Sequence, residues 1–195
     1  MSKGTLPMQR TVEIVFKGKT PDNTEYIIRY PKRTDVTELH RYINELSKEK
    51  TFISFQGEEI SLKDERTFLN DAIKKIKQRK GLLLLVEING KIIGVTDVRM
   101  NVRIASHIGT LGITIAKEFR GKGIGKKLLE TVMAEARKLE GIRILELECF
   151  ATNPVAPGLY KACGFQEYGR LPKGIAHKGG YVDDIFMYYD LEQNK

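Results

Sequence analysis

A glycine-rich turn between an apolar strand and a helix constrains this chain more than any other feature. Residues 111–129 (LGITIAKEFRGKGIGKKLL) begin with β-branched residues, pass through Gly121, Gly123 and Gly125, and continue with helical periodicity. Glycines can adopt a positive φ, so the backbone can present several N–H groups to one ligand. Because a helix N-terminus carries partial positive charge, this segment predicts a strand, an anion-binding turn and a helix that together hold a diphosphate.

Three known anion-binding turns contain glycines in related patterns, and their spacings distinguish them. A P-loop requires GxxxxGK followed by Ser or Thr, and this chain has neither that spacing nor the hydroxyl. A dinucleotide fingerprint requires GxGxxG, but Lys126 occupies the position of the third glycine. The segment RGKGIG at 120–125 instead resembles the R/Q-x-x-G-x-G/A signature of the GNAT acetyltransferase superfamily, which holds the pyrophosphate of acetyl-CoA.

Sequence periodicity predicts the element order ββααβββαβαββ. Two alternating segments at about 11–30 form a predicted hairpin, and Asp35 with Glu38 forms a capping box at the start of the first helix. The last two strands are predicted at 166–171 and 181–191, around a connection rich in Lys and Gly. With one anion-binding turn in mid-chain, this order describes an α+β sheet sandwiched by helices.

A second motif strengthens the resemblance to the GNAT superfamily. The family segment N-x-x-A-x-x-x-Y-x-x-x-G-F is matched here by Asn153, Ala156, Tyr160, Gly164 and Phe165. The resemblance covers about residues 24–190 and implies a mixed, mostly antiparallel sheet that is flanked by helices and splayed at its central strands. We expect a single acetyltransferase domain over 1–195, with the hairpin at about 11–30 as an N-terminal extension.

The resemblance implies direct transfer of an acetyl group from acetyl-CoA, as co-substrate, to a primary amine. It assigns the backbone N–H groups that stabilise the oxyanion to the strand before the turn, at Ile113, Thr114 and Ile115. It assigns pyrophosphate binding to the turn itself, and it gives Asn153 a hydrogen bond to the pantetheine arm. The pyrophosphate-binding residues implied in this way are Arg120, Gly121, Lys122, Gly123, Ile124, Gly125 and Lys126.

Tyr160 and Glu148 are the candidate catalytic residues. Tyr160 stands where the family places the acid that protonates the departing thiolate, and a phenol is protonated at pH 7. The alternative is a tyrosine packed on a short helix. Glu148 lies where a branch of the family carries a catalytic glutamate, but it can equally be a structural carboxylate of an alternating strand. Other acids that could take the proton are Glu146, Glu118, Asp183 and Asp184, and a water chain could replace them all.

Composition limits the remaining classes of function. The apolar and charged fractions, 41% and 30%, are those of a globular protein, and no segment reaches the roughly 18 apolar residues of a membrane span. The N-terminus lacks the apolar core of a secretory signal, so we expect a cytoplasmic protein. Cys149 and Cys163 are expected to be buried apolar residues. The three histidines lack metal-ligand spacing, so no metal is expected.

Two alternative functions and the acceptor remain open at this stage. The net charge of +8 and the basic run at 74–80 raise the possibility of a nucleic-acid-binding domain, although that run suits the end of a predicted helix. Aromatic residues are not interleaved with the basic runs, so we do not expect a nucleic-acid partner. An acyl-CoA sensor without turnover is the second alternative. The acceptor is expected to be a small molecule or a peptide N-terminus, and a homodimer is compatible with the sequence.

Overall fold

The computed structural model describes residues 13–193 and contains an eight-stranded sheet in the order β1-β2-β3-β4-β5-β6-β8-β7. The strands are β1 Ile14–Lys19, β2 Glu25–Arg29, β3 Gly81–Ile88, β4 Lys91–Met100, β5 Ile108–Ile115, β6 Ile144–Phe150, β7 Gln166–His177 and β8 Gly180–Asp190. The helices are α1 Val36–Lys48, α2 Leu62–Lys77, α3 Ile124–Ala136 and α4 Ala156–Ala162, with short 3₁₀ turns at Arg33–Asp35, Arg103–Ala105 and Lys117–Phe119. The predicted element order is confirmed.

Helices cover both faces of the sheet. On one face, α1 and α2 pack Leu39 and Leu69 against Leu83 and Leu85 of β3. On the other face, α3 and α4 pack against strand residues of the larger core, which includes Leu84. Because both of its faces are covered, β3 is a nearly continuous run of apolar residues rather than an alternating one.

The sheet opens between β5 and β6, its only parallel pair among the described strands. Their pairing consists of three positions and ends at Thr110 and Glu146. Both strands then continue, to Ile115 and Phe150, while β5 stays paired with β4 as far as Ile115. The backbone edge of β5 that faces β6 therefore has no strand partner over residues 111–115 within the described part of the chain. This confirms the predicted mixed, mostly antiparallel sheet with a splay at its central strands.

The start of α1 differs from the prediction. The Asp35 side chain does not cap the helix but accepts two hydrogen bonds from the Arg29 guanidinium, at 2.8 and 2.9 Å, and one from the Lys32 N–H. Arg29 also donates to Glu87, at 2.7 Å. A buried guanidinium needs such charged partners, and this requirement outweighs the capping bond that the local sequence suggests.

The boundary of β7 also differs from the prediction. β7 continues past the predicted end at 171 to His177, with an irregular register between Leu171 and Ile175. The Lys/Gly-rich segment is thus mostly strand, because the bulge absorbs Pro172 and Gly174 without ending the pairing. The first predicted hairpin residues, Thr11 and Val12, lie outside the described residues.

The buried ion pair yields a stability prediction. Asp35→Ala should lower the free energy of unfolding by about 3 to 5 kcal/mol, because it leaves the Arg29 guanidinium buried with an incomplete set of partners. Glu25→Ala is the matched control, since it removes an ion pair between Lys19 and Glu25, whose side chains are 61% and 78% exposed, respectively. This substitution should lower the free energy of unfolding by less than about 1 kcal/mol. Urea unfolding measures both values, and equal losses would contradict the assignment.

Candidate active site

The glycine turn exposes backbone donors at the start of α3. Gly121 and Gly123 have φ values of +75° and +80°, and a Cβ built on either would have no atom within 4 Å. Gly123 is the N-cap of α3, and its carbonyl accepts the Lys127 N–H at 3.2 Å. The N–H groups of residues 124–126 consequently have no acceptor within the helix, and no side chain of the described residues caps this end. The first turn also contains no acidic residue, so these donors are suited to an anion.

The basic side chains of the turn have protein partners. Lys122 Nζ lies 2.9 Å from Asp22 Oδ2 in the β1–β2 turn, and this hydrogen bond is the main reason that the pKa of Asp22 is lowered. Arg120 donates through Nε to the Ile115 carbonyl, at 2.8 Å, and through Nη2 to Glu49, at 2.7 Å. Arg120 thus joins the end of β5 to the residue that follows α1, a contact that its position in the sequence motif did not indicate.

The end of β5 presents two of the three predicted backbone donors to the splay. The Ala116 N–H donates to the Ile93 carbonyl of the neighbouring chain segment, at 2.9 Å. Since antiparallel pairing alternates, the Thr114 N–H also faces β4, whereas the N–H groups of Ile113 and Ile115 face the opening. The Thr114 hydroxyl accepts a hydrogen bond from Tyr42, at 2.9 Å, which ties β5 to α1.

The other two predicted residues are Asn153, which precedes α4, and Tyr160, which lies on α4. Asn153 Oδ1 accepts hydrogen bonds from the N–H groups of Val155 and Ala156, at 3.0 and 3.1 Å, in the turn that leads into α4, and the Nδ2 donors take no part in these bonds. Tyr160 is 7% exposed, and its hydroxyl has no hydrogen-bond partner in the described part of the chain. Burial raises the pKa of Tyr160, and Cys149 raises it further. The phenol is therefore protonated at neutral pH.

Gly125 marks where these elements meet. A Cβ built on Gly125 would lie 3.8 Å from Ile115 Cγ1 and 3.9 Å from Leu159 Cδ2. The first turn of α3, the end of β5 and α4 are thus in contact. The fold brings the glycine turn, the β5 backbone and the helix that carries Tyr160 to one place.

The opposite face of the sheet holds the candidate proton acceptors. Glu148 is exposed on β6, opposite Phe186 of β8. Glu146, on the same face, accepts hydrogen bonds from Thr110 and Asn101, at 3.0 and 3.2 Å. Asp184 pairs with Phe150 and is buried, and its carboxyl shares this face.

The remaining two acids proposed from the sequence do not join this group. Asp183 alternates to the other face of β8, where it lies 3.6 Å from Arg170, and Glu118 is exposed in a 3₁₀ turn.

Sequence reasoning missed one feature, an aromatic cluster of Phe52, Phe150 and His177. Only Phe150 could be placed from the sequence, through the alternation of β6. Phe52 and His177 come from segments without a regular pattern.

Comparison with known proteins identifies the family. The family model for GNAT acetyltransferases matches residues 39–165. The chain belongs to the GNAT acetyltransferase family. It is an N-acetyltransferase that uses acetyl-CoA as co-substrate and an amine as acceptor.

Individual GNAT relatives agree with this assignment. The chain is 24% identical to spermidine N(1)-acetyltransferase of Vibrio cholerae, over 85% of this chain and 93% of that protein. It is 27% identical to the L-amino acid N-acetyltransferase AaaT of Escherichia coli, over 58% of this chain and 72% of that protein.

Solved structures of GNAT proteins share the fold. A GNAT acetyltransferase from Streptococcus pneumoniae superposes with a TM-score of 0.78 at 30% identity, over 85% of this chain and 99% of that one. RimL, a ribosomal L7/L12 α-N-protein acetyltransferase in complex with coenzyme A, superposes with a TM-score of 0.74 at 16% identity, over 91% and 98% of the two chains.

Within residues 13–193, no helix is long and apolar enough to cross a membrane, and no group of three potential metal ligands occurs.

The glycine turn yields a binding prediction. Gly123→Val should weaken CoA binding by at least about 100-fold, because a β-branched residue disfavours φ of +80° and several charge-assisted hydrogen bonds of about 1.5 to 3 kcal/mol each would be lost. Gly90→Val is the matched control, since Gly90 has φ of +79° in the β3–β4 turn and is equally open. Isothermal titration with CoA, after a thermal melt to verify folding, compares the two. Similar CoA affinities for both variants would refute the assignment.

Proposed function

We propose that the turn at 121–126 binds the CoA pyrophosphate and that Ile113 and Ile115 bind the thioester end through their N–H groups. Asn153 Nδ2 donates to the pantetheine arm, and Tyr160 donates its proton to the departing thiolate. The contact of α3, β5 and α4 around Gly125 supports this proposal, because one extended ligand can reach all of these groups. The unpaired donors of β5 and α3 are complementary to carbonyl and phosphate oxygens.

The N-terminal hairpin belongs to this proposal. β2 pairs with β3, so the hairpin extends the sheet, and Asp22 in its turn holds Lys122. We propose that residues 1–195 form one acetyltransferase domain in which the hairpin steadies the glycine turn. Lys122 is then fixed beside the phosphate site rather than free in solvent.

Acetyl transfer to an amine requires three charge movements, which separate groups of the site can provide. The acceptor arrives mainly as an ammonium ion, and Glu148 takes its proton so that the nitrogen lone pair can attack the thioester carbon. Negative charge then develops on the carbonyl oxygen, where the β5 N–H groups stabilise it. When the C–S bond breaks, the electron pair stays on sulfur, and Tyr160 supplies the proton that completes the thiol. The positively charged nitrogen of the intermediate loses its second proton to water, and the Tyr160 phenolate regains a proton from water.

A small amine is the acceptor that we favour over a protein N-terminus. The relatives named above act on spermidine, on L-amino acids and on a ribosomal protein, so family membership alone leaves the choice open. Here Phe52 of the α1–α2 loop contacts Phe150, the last residue of β6, and His177. These contacts partly close the opening between β5 and β6 on the face of the sheet that α1 and α2 cover. Nucleic acid is not part of the proposal, since the basic residues of α2 lie in its last turn and suit the helix dipole.

Tyr160 yields the test of this mechanism. Tyr160→Phe should lower turnover by about 10²- to 10⁴-fold and leave CoA affinity nearly unchanged, because the hydroxyl acts mainly as charge develops on sulfur. Tyr189→Phe is the control, since Tyr189 contacts the same Phe165 but its hydroxyl is 3.0 Å from Arg137 Nη2. Thiol release, measured with a panel of amines, reports turnover. Equal rates for Tyr160→Phe and wild type would show that Tyr160 only packs.

A further inference from the structure

Three carboxylates on one face of the sheet lack a cationic partner in the described part of the chain. Glu146 and Glu148 on β6 and Asp184 on β8 share the face toward α1 and α2, as their register with Phe186 and Phe150 requires. Within residues 13–193, no Lys or Arg forms a salt bridge with any of them. Most other carboxylates of the sheet do have such partners, among them Glu87 and Asp97. In a chain of net charge +8, these three residues form a local group of acidic side chains.

Asp184 is the most buried carboxylate of this group. It is only 7% exposed, and its Oδ1 is buried without a hydrogen-bond partner in the described part of the protein. Burial raises the pKa of Asp184, the negative charge of Glu148 raises it further, and the Ile185 N–H opposes both effects. A buried carboxylate oxygen without a partner is costly, and a bound cation would remove that cost.

The rings of Phe52, Phe150 and His177 form an aromatic wall next to Asp184. Phe150, which pairs with Asp184 across the strands, has its ring centroid 5.2 Å from that of His177 and 5.6 Å from that of Phe52. Both ring nitrogens of His177 are buried and also lack partners among the described residues. Aromatic faces attract cations and accommodate methylene chains, so this wall suits an alkyl amine.

A neighbouring cavity helps to place the cationic group. A cavity of about 450 Å³ has His177, Lys50 and Lys178 among its lining residues. These two ammonium groups would repel a cation. A positively charged group of the acceptor therefore belongs on the Asp184 side of the aromatic wall.

We propose that the acceptor carries a second cationic nitrogen, which binds Asp184 while Glu148 faces the reacting amine. This inference rests on the proposed function and narrows its substrate to linear diamines and polyamines. One ammonium group would leave most of the negative charge on this face unbalanced, whereas two groups joined by an alkyl chain would balance more of it and cover the aromatic wall.

Acceptor kinetics test this proposal. With saturating acetyl-CoA, kcat/KM for 1,5-diaminopentane should exceed that for n-pentylamine by at least about tenfold, and added salt should reduce the difference. Asp184→Asn should remove this preference, mainly by raising KM for the diamine, and leave CoA affinity within about twofold. Asp183→Asn is the matched control and should retain the preference, because Asp183 faces the other side of β8 and pairs with Arg170.

Glu148→Gln separates this proposal from the mechanism on which it rests. It should lower turnover with both amines, because it removes the proton acceptor rather than the second cation site. Equal kcat/KM for the two amines, a preference for 6-aminohexanoate, or a diamine preference that survives in Asp184→Asn would overturn the second cation site and leave amine acetylation standing. Absence of transfer to every amine, with CoA binding intact, would overturn both proposals.

Discussion

The separation of β5 from β6 is the constraint on which the rest of the site depends. A backbone N–H group away from water needs an acceptor, and in most of this sheet the neighbouring strand supplies it. The parallel pairing ends after Thr110 and Glu146, so the last part of β5 keeps one edge without a strand partner among the residues described. The first turn of α3 is next to this edge and has unpaired donors of its own. A ligand with amide, carbonyl and phosphate groups can satisfy both sets at once.

Apolar cores on both faces of the sheet support the strands at this opening. Two separate apolar cores, one under α1 and α2 and one under α3 and α4, hold the central strands from opposite sides. Hydrogen bonds then hold the end of β5 in place. Tyr42 of α1 contacts Thr114, and Arg120 connects the Ile115 carbonyl to Glu49. These contacts hold the β5 backbone in place before any ligand binds, which lowers the entropic cost of binding.

The sequence was informative where structure depends on local chemistry. The glycine turn was predictable because positive φ at Gly121 and Gly123 and a helix start immediately after them leave a direct pattern in the chain. The element order followed from the periodicities of the strands and helices. The contacts of Asp35 with Arg29, and of Arg120 with Glu49, were not predictable, because they join residues whose proximity exists only after the sheet has formed. The same holds for Phe52, Phe150 and His177, which come from three distant segments.

A crystal structure of the protein with CoA tests the central claim most directly. We expect the pyrophosphate oxygens within about 3 Å of the backbone nitrogens of residues 124–126, the pantetheine arm along β5 in the opening, and the thiol within reach of the Tyr160 hydroxyl. The basic cleft at the other end of the sheet, which includes Lys77 and Arg79, offers the contrasting position. A pyrophosphate bound there, or a CoA that leaves the β5 edge unpaired, would contradict the site described above.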